Sequence, residues 1–301
     1  MSRSVRVVAA CLGTVLTCAT VAGFGGLVEP DGGGEPVAVV DAAAEAPVPP
    51  DDPAAGAPPA EAVPAEPVPA WAVSRPTGPL PASTLAEIRD RPDLLADRRL
   101  PTVDLLPPPP DGRFASTVEP VTPQLRDRMG ESWSEACPVG LQDLRYLTVS
   151  FRGFDGKAHT GELVVHHTVV PTMVEVFRRL FEADFPIEEM RLIGTADHHA
   201  PLTGDTNNTA AYNCRTARGQ RRWSAHAYGL SVDINPFHNP MVRRGTVIPE
   251  LGAAYVDRAH VRPGMLTEDG PAVQAFLEAG WQWGGHWVHS KDYMHFSPDG
   301  S

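Results

Sequence analysis

Regular patterning along the chain begins near position 144. Residues 144–154 alternate apolar and polar side chains as a strand does. Residues 161–167 form a second such run, and Asp155-Gly156 between them has the chemistry of a hairpin turn. The period then changes. Within 171–183, Met173, Val174, Phe177, Leu180 and Phe181 fall on one face at helical spacing. A short strand is expected at 190–194 and a long polar loop rich in Gly, Asn and Thr at 204–222. Residues 230–235 alternate cleanly. A second helix is expected at 271–279, with Val273, Phe276 and Leu277 as its apolar positions, followed by an aromatic, strand-rich end at 281–297. Strands and helices are mixed without regular βαβ alternation, so the expected class is α+β with an antiparallel sheet. No internal repeat is visible.

Ahead of this region the pattern fails. Residues 29–84 are rich in Pro, Ala, Gly and acid and offer few large apolar side chains, too few to offset the entropy of ordering, so a disordered linker is expected. An extended polyproline conformation would let residues 29–74 reach about 140 Å. Residues 85–117 read as a partly ordered lead-in, helical in character over 85–100 and interrupted by four prolines at 107–110. The folded domain is expected at 118–301.

The extreme N-terminus, 1–28, reads as an export signal. Arg3 and Arg6 precede an uncharged stretch over 7–28, with a cleavage sequence ending at Ala22. That stretch is also long enough to span a bilayer once, so an uncleaved anchor is the alternative. Either way the expected location is extracytoplasmic, secreted or membrane-anchored, and a monomer is expected. The net charge of -12 argues against a nucleic acid partner, since phosphate binding needs a basic surface. Two of the four cysteines, Cys11 and Cys18, fall in the signal, leaving Cys137 and Cys214 for the folded part. Export favours a disulfide between them. Two separate buried thiols, or a thiolate metal ligand, are the competing readings.

Two motifs carry the chemistry. The first runs from Ser224 to Asp233 and contains His226; the second is Asp292-Tyr293-Met294-His295. A catalytic zinc site needs three protein ligands, an open position and a base for water. On one straight strand His226 and Asp233 would stand about 23 Å apart. To share a metal the chain must bend between them, and Tyr228-Gly229 offers the place. After the bend, Leu230, Val232 and Ile234 face the core and Asp233 the opposite side. In the second motif, Met294 and Phe296 point inward if extended, which turns His295 toward a cleft beside Asp292. Each motif alone also fits a bland reading, with Asp233 and Asp292 as solvated residues and His295 as a satisfied core histidine.

Together the motifs resemble a known family. Ser-x-His-x-x-Gly-x-x-x-Asp followed by a C-terminal acid-x-x-His is similar to the zinc D-alanyl-D-alanine carboxypeptidases of the VanY type. It is closer still to their sister branch, the L-alanyl-D-glutamate peptidases, which the run Trp281-Gln282-Trp283-Gly284-Gly285 also resembles. The resemblance spans roughly 137–298. It implies the small α+β domain shared with hedgehog-type domains, with His226, Asp233 and His295 as Zn2+ ligands and Asp292 as general base. The implied activity is hydrolysis of peptidoglycan stem peptides, either at the internal L-Ala–D-Glu bond or at the terminal D-Ala–D-Ala bond. It further implies a carboxylate-binding Arg upstream, here Arg215, and a site role for Ser224. Asn208, Thr209 and Tyr212 are read as cleft-lining, and Trp281, Trp283 and Trp287 as core and cleft wall. Asp292 stands where the carboxypeptidases commonly carry Glu. His286 stands where the endopeptidase branch often has Asp, as an extra ligand or, more simply, a wall or surface residue. A zinc-containing module that binds wall peptide or recruits a partner without cleaving is the alternative function.

Overall fold

The computed structural model describes residues 96–200 and 206–300. The signal or anchor expected at 1–28, the linker expected at 29–84 and most of the helical stretch expected at 85–100 lie outside those residues. Residues 96–100, the tail of that stretch, are not helical.

Strand β1 (Ser116–Pro120) leads into helix α1 (Pro123–Met129), whose first turn is capped by the Thr122 side chain accepting from the Leu125 N–H. Strands β2 (Leu144–Arg152) and β3 (Ala158–His166) form the expected antiparallel hairpin, with Gly156 at φ 76 in the turn. β3 starts at Ala158 because Arg152 still pairs there, although His159 and Thr160 mask the alternation. β1 adds to the free edge of β2, giving a three-stranded sheet in the order β1-β2-β3.

Helix α2 (Val170–Glu182) covers this sheet. It buries Met173, Val176, Phe177, Leu180 and Phe181, with Val176 more deeply placed than Val174. Most of the remaining chain is irregular: β4 (Glu189–Met190), α3 (Thr195–His198), β5 (Asn208–Thr209), β6 (Val232–Asp233), β7 (Met241–Arg243) and β8 (Thr246–Ile248) are all short. Helix α4 (Pro271–Glu278) packs on α2 and is followed by β9 (Gln282–Trp283), β10 (Lys291–Asp292) and β11 (His295–Ser297). These strands form a parallel pair β4-β5 and two small antiparallel sheets, β10-β7-β8 and β6-β11-β9. The class is α+β.

Two expected strands shrink for identifiable reasons. At 190–194, the Arg191 N–H bonds the Asn208 side chain rather than a neighbouring backbone, and its guanidinium is paired with Asp197. At 230–235, Asn235 adopts φ 43 and sends its amide to the carbonyls of Pro186 and Gly264, which ends β6.

One core cluster joins β2, β3, α2, α4 and the inward faces of β6, β9 and β11, including Phe276 stacked on Phe296 at 4.0 Å. A smaller cluster around Leu144, Tyr146 and Tyr212 lies beside the disulfide that joins Cys137 to Cys214. The chain before β1 is already packed against the domain. Arg98, 5% exposed, forms a two-armed ion pair with Glu188 at 2.8 Å. Glu188 also accepts from Asn207, whose amide faces His238 Nδ1 at 3.0 Å. His238 Nε2 lies 2.9 Å from the Arg98 carbonyl, which can only accept, so Nε2 carries the proton and Nδ1 takes one from Asn207.

Candidate active site

The first motif forms a short 3-10 turn, Ala225–Tyr228, begun by Ser224, whose hydroxyl accepts from the His226 N–H at 3.4 Å. Gly229 closes the turn at φ 67, ψ 24. A Cβ there would stand 2.6 Å from the backbone nitrogen of His166 in β3, so both conformation and close approach require glycine. The chain then reverses into β6.

On β6, Asp233 is opposite His295 of β11 in the antiparallel register, and Val232 is opposite Phe296. Directly paired strand residues share a face, which sets the Asp233 carboxylate beside the His295 ring. Val232 and Phe296 are fully buried beneath them. Asp233 Oδ1 lies 2.9 Å from His295 Nδ1, and Oδ2 lies 3.2 Å from His226 Nε2. The ligand atoms of the three residues lie within 4.8 Å of one another.

The residues around the triad fix its orientation. His226 Nδ1 lies 2.5 Å from the carbonyl of Ala211, which only accepts, so Nδ1 carries a proton and Nε2 is the nitrogen directed at the Asp233 carboxylate. The Asp233 backbone is held on its other edge by Ala210, with two hydrogen bonds of 2.9 and 3.1 Å. The segment supporting both ligands is tied down three residues later by the Cys137–Cys214 disulfide. Burial alone would raise the Asp233 carboxyl, but His226 and His295 hold it well below the usual range. Two buried imidazoles and a partly buried carboxylate, oriented and converging, match the donor set of a catalytic zinc site with one position left for a small ligand.

Asp292 and His295 flank the two-residue turn Tyr293-Met294, which passes from the β10-β7-β8 sheet to the β6-β11-β9 sheet. The base candidate and the third ligand candidate thus belong to different sheets meeting at one corner. Gly284 lies against this corner, where a Cβ would come 2.5 Å from the Asp292 carbonyl oxygen. Asp292 Oδ1 is buried and makes no hydrogen bond with any of the described residues. Burial, with Asp233 nearby, pushes its carboxyl up to about 7, against the pull of His295, Arg215 and Arg218. A cation held by the triad would draw that value back down.

These groups open into a cleft of about 610 Å³. Ser224, Arg215 and all four residues above line it. Trp287 forms its wall and packs on His295 at 5.5 Å, while Trp281 and Trp283 are core. Asn208, Thr209 and Tyr212, expected at the cleft, are absent from its lining. Asn208 is bonded to the Arg191 backbone, the Thr209 hydroxyl accepts from the Asn235 N–H, and Tyr212 is packed in the smaller core cluster. Polar residues in that loop hold backbone in place instead. His286 bonds Glu268 at 2.6 Å and does not reach the cleft. The sequence reading missed Arg218, Arg222, Arg243, Arg244 and His289, which also line the cleft. The Arg pairs at 221–222 and 243–244 were the available signal.

Among the described residues no helix is long and apolar enough to cross a membrane. No curated protein and no solved structure gives a significant match. One family model does match, over residues 218–298, and that span holds His226, Asp233, Asp292 and His295. Over that segment the chain matches the D-alanyl-D-alanine carboxypeptidase family, the one its two motifs resemble.

Proposed function

We propose that this chain is an extracytoplasmic zinc peptidase that hydrolyses a peptide bond in peptidoglycan stem peptides. One observation carries the reading: the buried, unpartnered Asp292 Oδ1 shares a cleft with the His226–Asp233–His295 donor set. A carboxylate so placed needs a proton source or a ligand to justify its burial. The family match supports the same assignment.

A zinc ion on His226, Asp233 and His295 would supply Lewis acidity toward a carbonyl and toward water. The chain's own residues do the rest. Asp292 takes a proton from water in the cleft and delivers it to the departing amine. Ala211 and Ser224 keep His226 in one tautomer and orientation. Arg215 holds a substrate carboxylate next to the bond being cut, through the planar fork that suits Arg to carboxylates. Both candidate bonds carry such a group, the terminal carboxylate of D-Ala–D-Ala or the α-carboxylate of D-Glu. The hedgehog-type fold is part of the same proposal.

Mass spectrometry of purified peptidoglycan incubated with the zinc-loaded full chain tests the reading. Loss of a terminal D-Ala would establish the carboxypeptidase, and release of the stem after L-Ala the endopeptidase. His226→Ala should lose both zinc and product. Intact peptidoglycan from a folded, zinc-replete chain would overturn the hydrolase and favour the non-catalytic wall-binding module.

A further inference from the structure

The cleft has a charge balance unlike that of the chain. The whole sequence carries 25 basic and 37 acidic residues. Among the described residues lining the cleft are five arginines, Arg215, Arg218, Arg222, Arg243 and Arg244, and the only carboxylates are Asp233 and Asp292. None of the five forms an ion pair with a carboxylate among the described residues. Arg215 and Arg243 donate to backbone carbonyls, and Arg222 donates to the Gln220 side chain. Arginines elsewhere on the surface are commonly paired, as Arg178 is with Glu175 and Glu182, Arg179 with Glu278, and Arg128 with Glu162. Unpaired cations gathered in a concave site repel one another and focus a positive potential, which an anion relieves.

The arginines come from two structures that touch. Arg215, Arg218 and Arg222 lie on the loop before the first motif. Arg243 and Arg244 lie on the β7–β8 hairpin, and β7 pairs with β10, with Met241 opposite Asp292. Arg243 Nη1 donates to the carbonyl of Arg218 at 3.0 Å, joining hairpin to loop. The hairpin turn is Arg244-Gly245, with φ 50 and 78. Asn, Asp or Gly suit the first of these positions, and an L side chain there costs about 1–2 kcal/mol. The fold thus places a long cation at a strained turn on the cleft wall, with no ion-pair partner among the described residues.

We propose that Arg243 and Arg244, with Arg218, form a second carboxylate subsite, so that the cleft selects stem peptides carrying two free carboxylates near the scissile bond. This rests on the peptidase reading above. Arg215 takes the C-terminal carboxylate of the stem and the hairpin takes the α-carboxylate of its glutamate. Stem peptides in which that second carboxyl is an amide are poor ligands, because an amide brings no charge to the arc. A cleft of about 610 Å³ has room for a few residues of a peptide and not for a folded polymer.

The test is titration calorimetry on the full, zinc-loaded chain carrying Asp292→Asn, so that peptide is not consumed. The probes are two synthetic stem pentapeptides differing only in whether the glutamate α-carboxyl is free or amidated. The diacid should bind about tenfold more tightly at low ionic strength, and the gap should narrow with salt. Arg244→Gly, which removes the charge and suits the turn, should lower diacid affinity by about that factor and leave the amide's unchanged. Arg243→Lys, which keeps charge but loses the fork, should lose part of the gap. Equal affinities in the parent, or equal losses for both peptides in Arg244→Gly, would overturn the subsite. Competition by inorganic pyrophosphate as strong as by the diacid would also overturn it, making the arc a general anion trap. Parallel assays with unsubstituted Asp292 keep the two claims apart. Discrimination in binding with neither peptide cut refutes the peptidase and leaves the subsite standing. Cleavage of both peptides without discrimination does the reverse.

Discussion

Two clusters in this protein are built from the same residue types and behave in opposite ways. Around Glu188, an Arg, a carboxylate, an Asn and a His are buried together, and Arg98, Glu188, Asn207 and His238 bond one another. Around Asp233, two His, two carboxylates and a set of arginines meet at a cleft, and there, among the described residues, Asp292 Oδ1 has no hydrogen-bond partner and the arginines form no ion pair. The first cluster closes on itself, so its polar groups serve the fold by fixing the strap before β1 against the domain. The second is complete only with something added. Burial is tolerated when hydrogen bonds are satisfied, and a buried group left unsatisfied marks where a ligand or a reaction belongs.

Breaking the closed cluster should have the largest effect on stability. Glu188→Ala leaves the Arg98 charge buried without its ion-pair partner and should cost about 3–5 kcal/mol, read from denaturant midpoints. Acid should act on the same cluster next. Burial lowers the His238 pKa from 6.5 to about 4. Its neutral form therefore contributes fully above pH 6.5, and that contribution is lost as pH falls toward about 4, where the unfolded chain takes up the proton first. The loss should be about 3 kcal/mol by linkage. Glu188, held below its ordinary value by Arg98 against the opposing effect of burial, adds a loss of the same sign at lower pH. His238→Gln should flatten the step between pH 6.5 and 4 in a denaturation series. A smaller effect is expected at the hinge of the open cluster. Gly229→Ala should cost about 1–2 kcal/mol in conformation alone. Crowding of the β3 backbone should shift the His226 turn, so zinc affinity measured by chelator competition should fall as well.

The open cluster was far more legible in the sequence than the closed one. Gly229 and the alternation from Leu230 to Ile234 announce a bend followed by an Asp turned away from the core, both of which are local properties of backbone and side chain. Phe296 toward the core, with His295 on the opposite face of β11 toward the cleft, follows from strand alternation in the same way. The β2–β3 hairpin and α2 are legible because their partners are neighbours in sequence. What could not be read depends on long-range pairing. Arg98 gives no sign that Glu188, ninety positions on, will meet it. Arg243 and Arg244 enter the cleft only because β7 pairs with β10 some fifty residues later. Asn208, Thr209 and Tyr212 were misplaced because a polar loop residue looks the same whether it faces a ligand or braces a backbone.

The most direct measurement is Asp292→Asn in the full, zinc-loaded chain, scored at once for turnover of stem peptide, bound zinc and melting temperature. If Asp292 is the working carboxylate of an open site, turnover falls by about 10²–10⁴-fold while zinc stays bound. The melting temperature should stay level, since Asp292 Oδ1 makes no hydrogen bond among the described residues for the substitution to break. Turnover near that of the parent, or a loss of stability as large as that of Glu188→Ala, would contradict this and make Asp292 one more member of the scaffold.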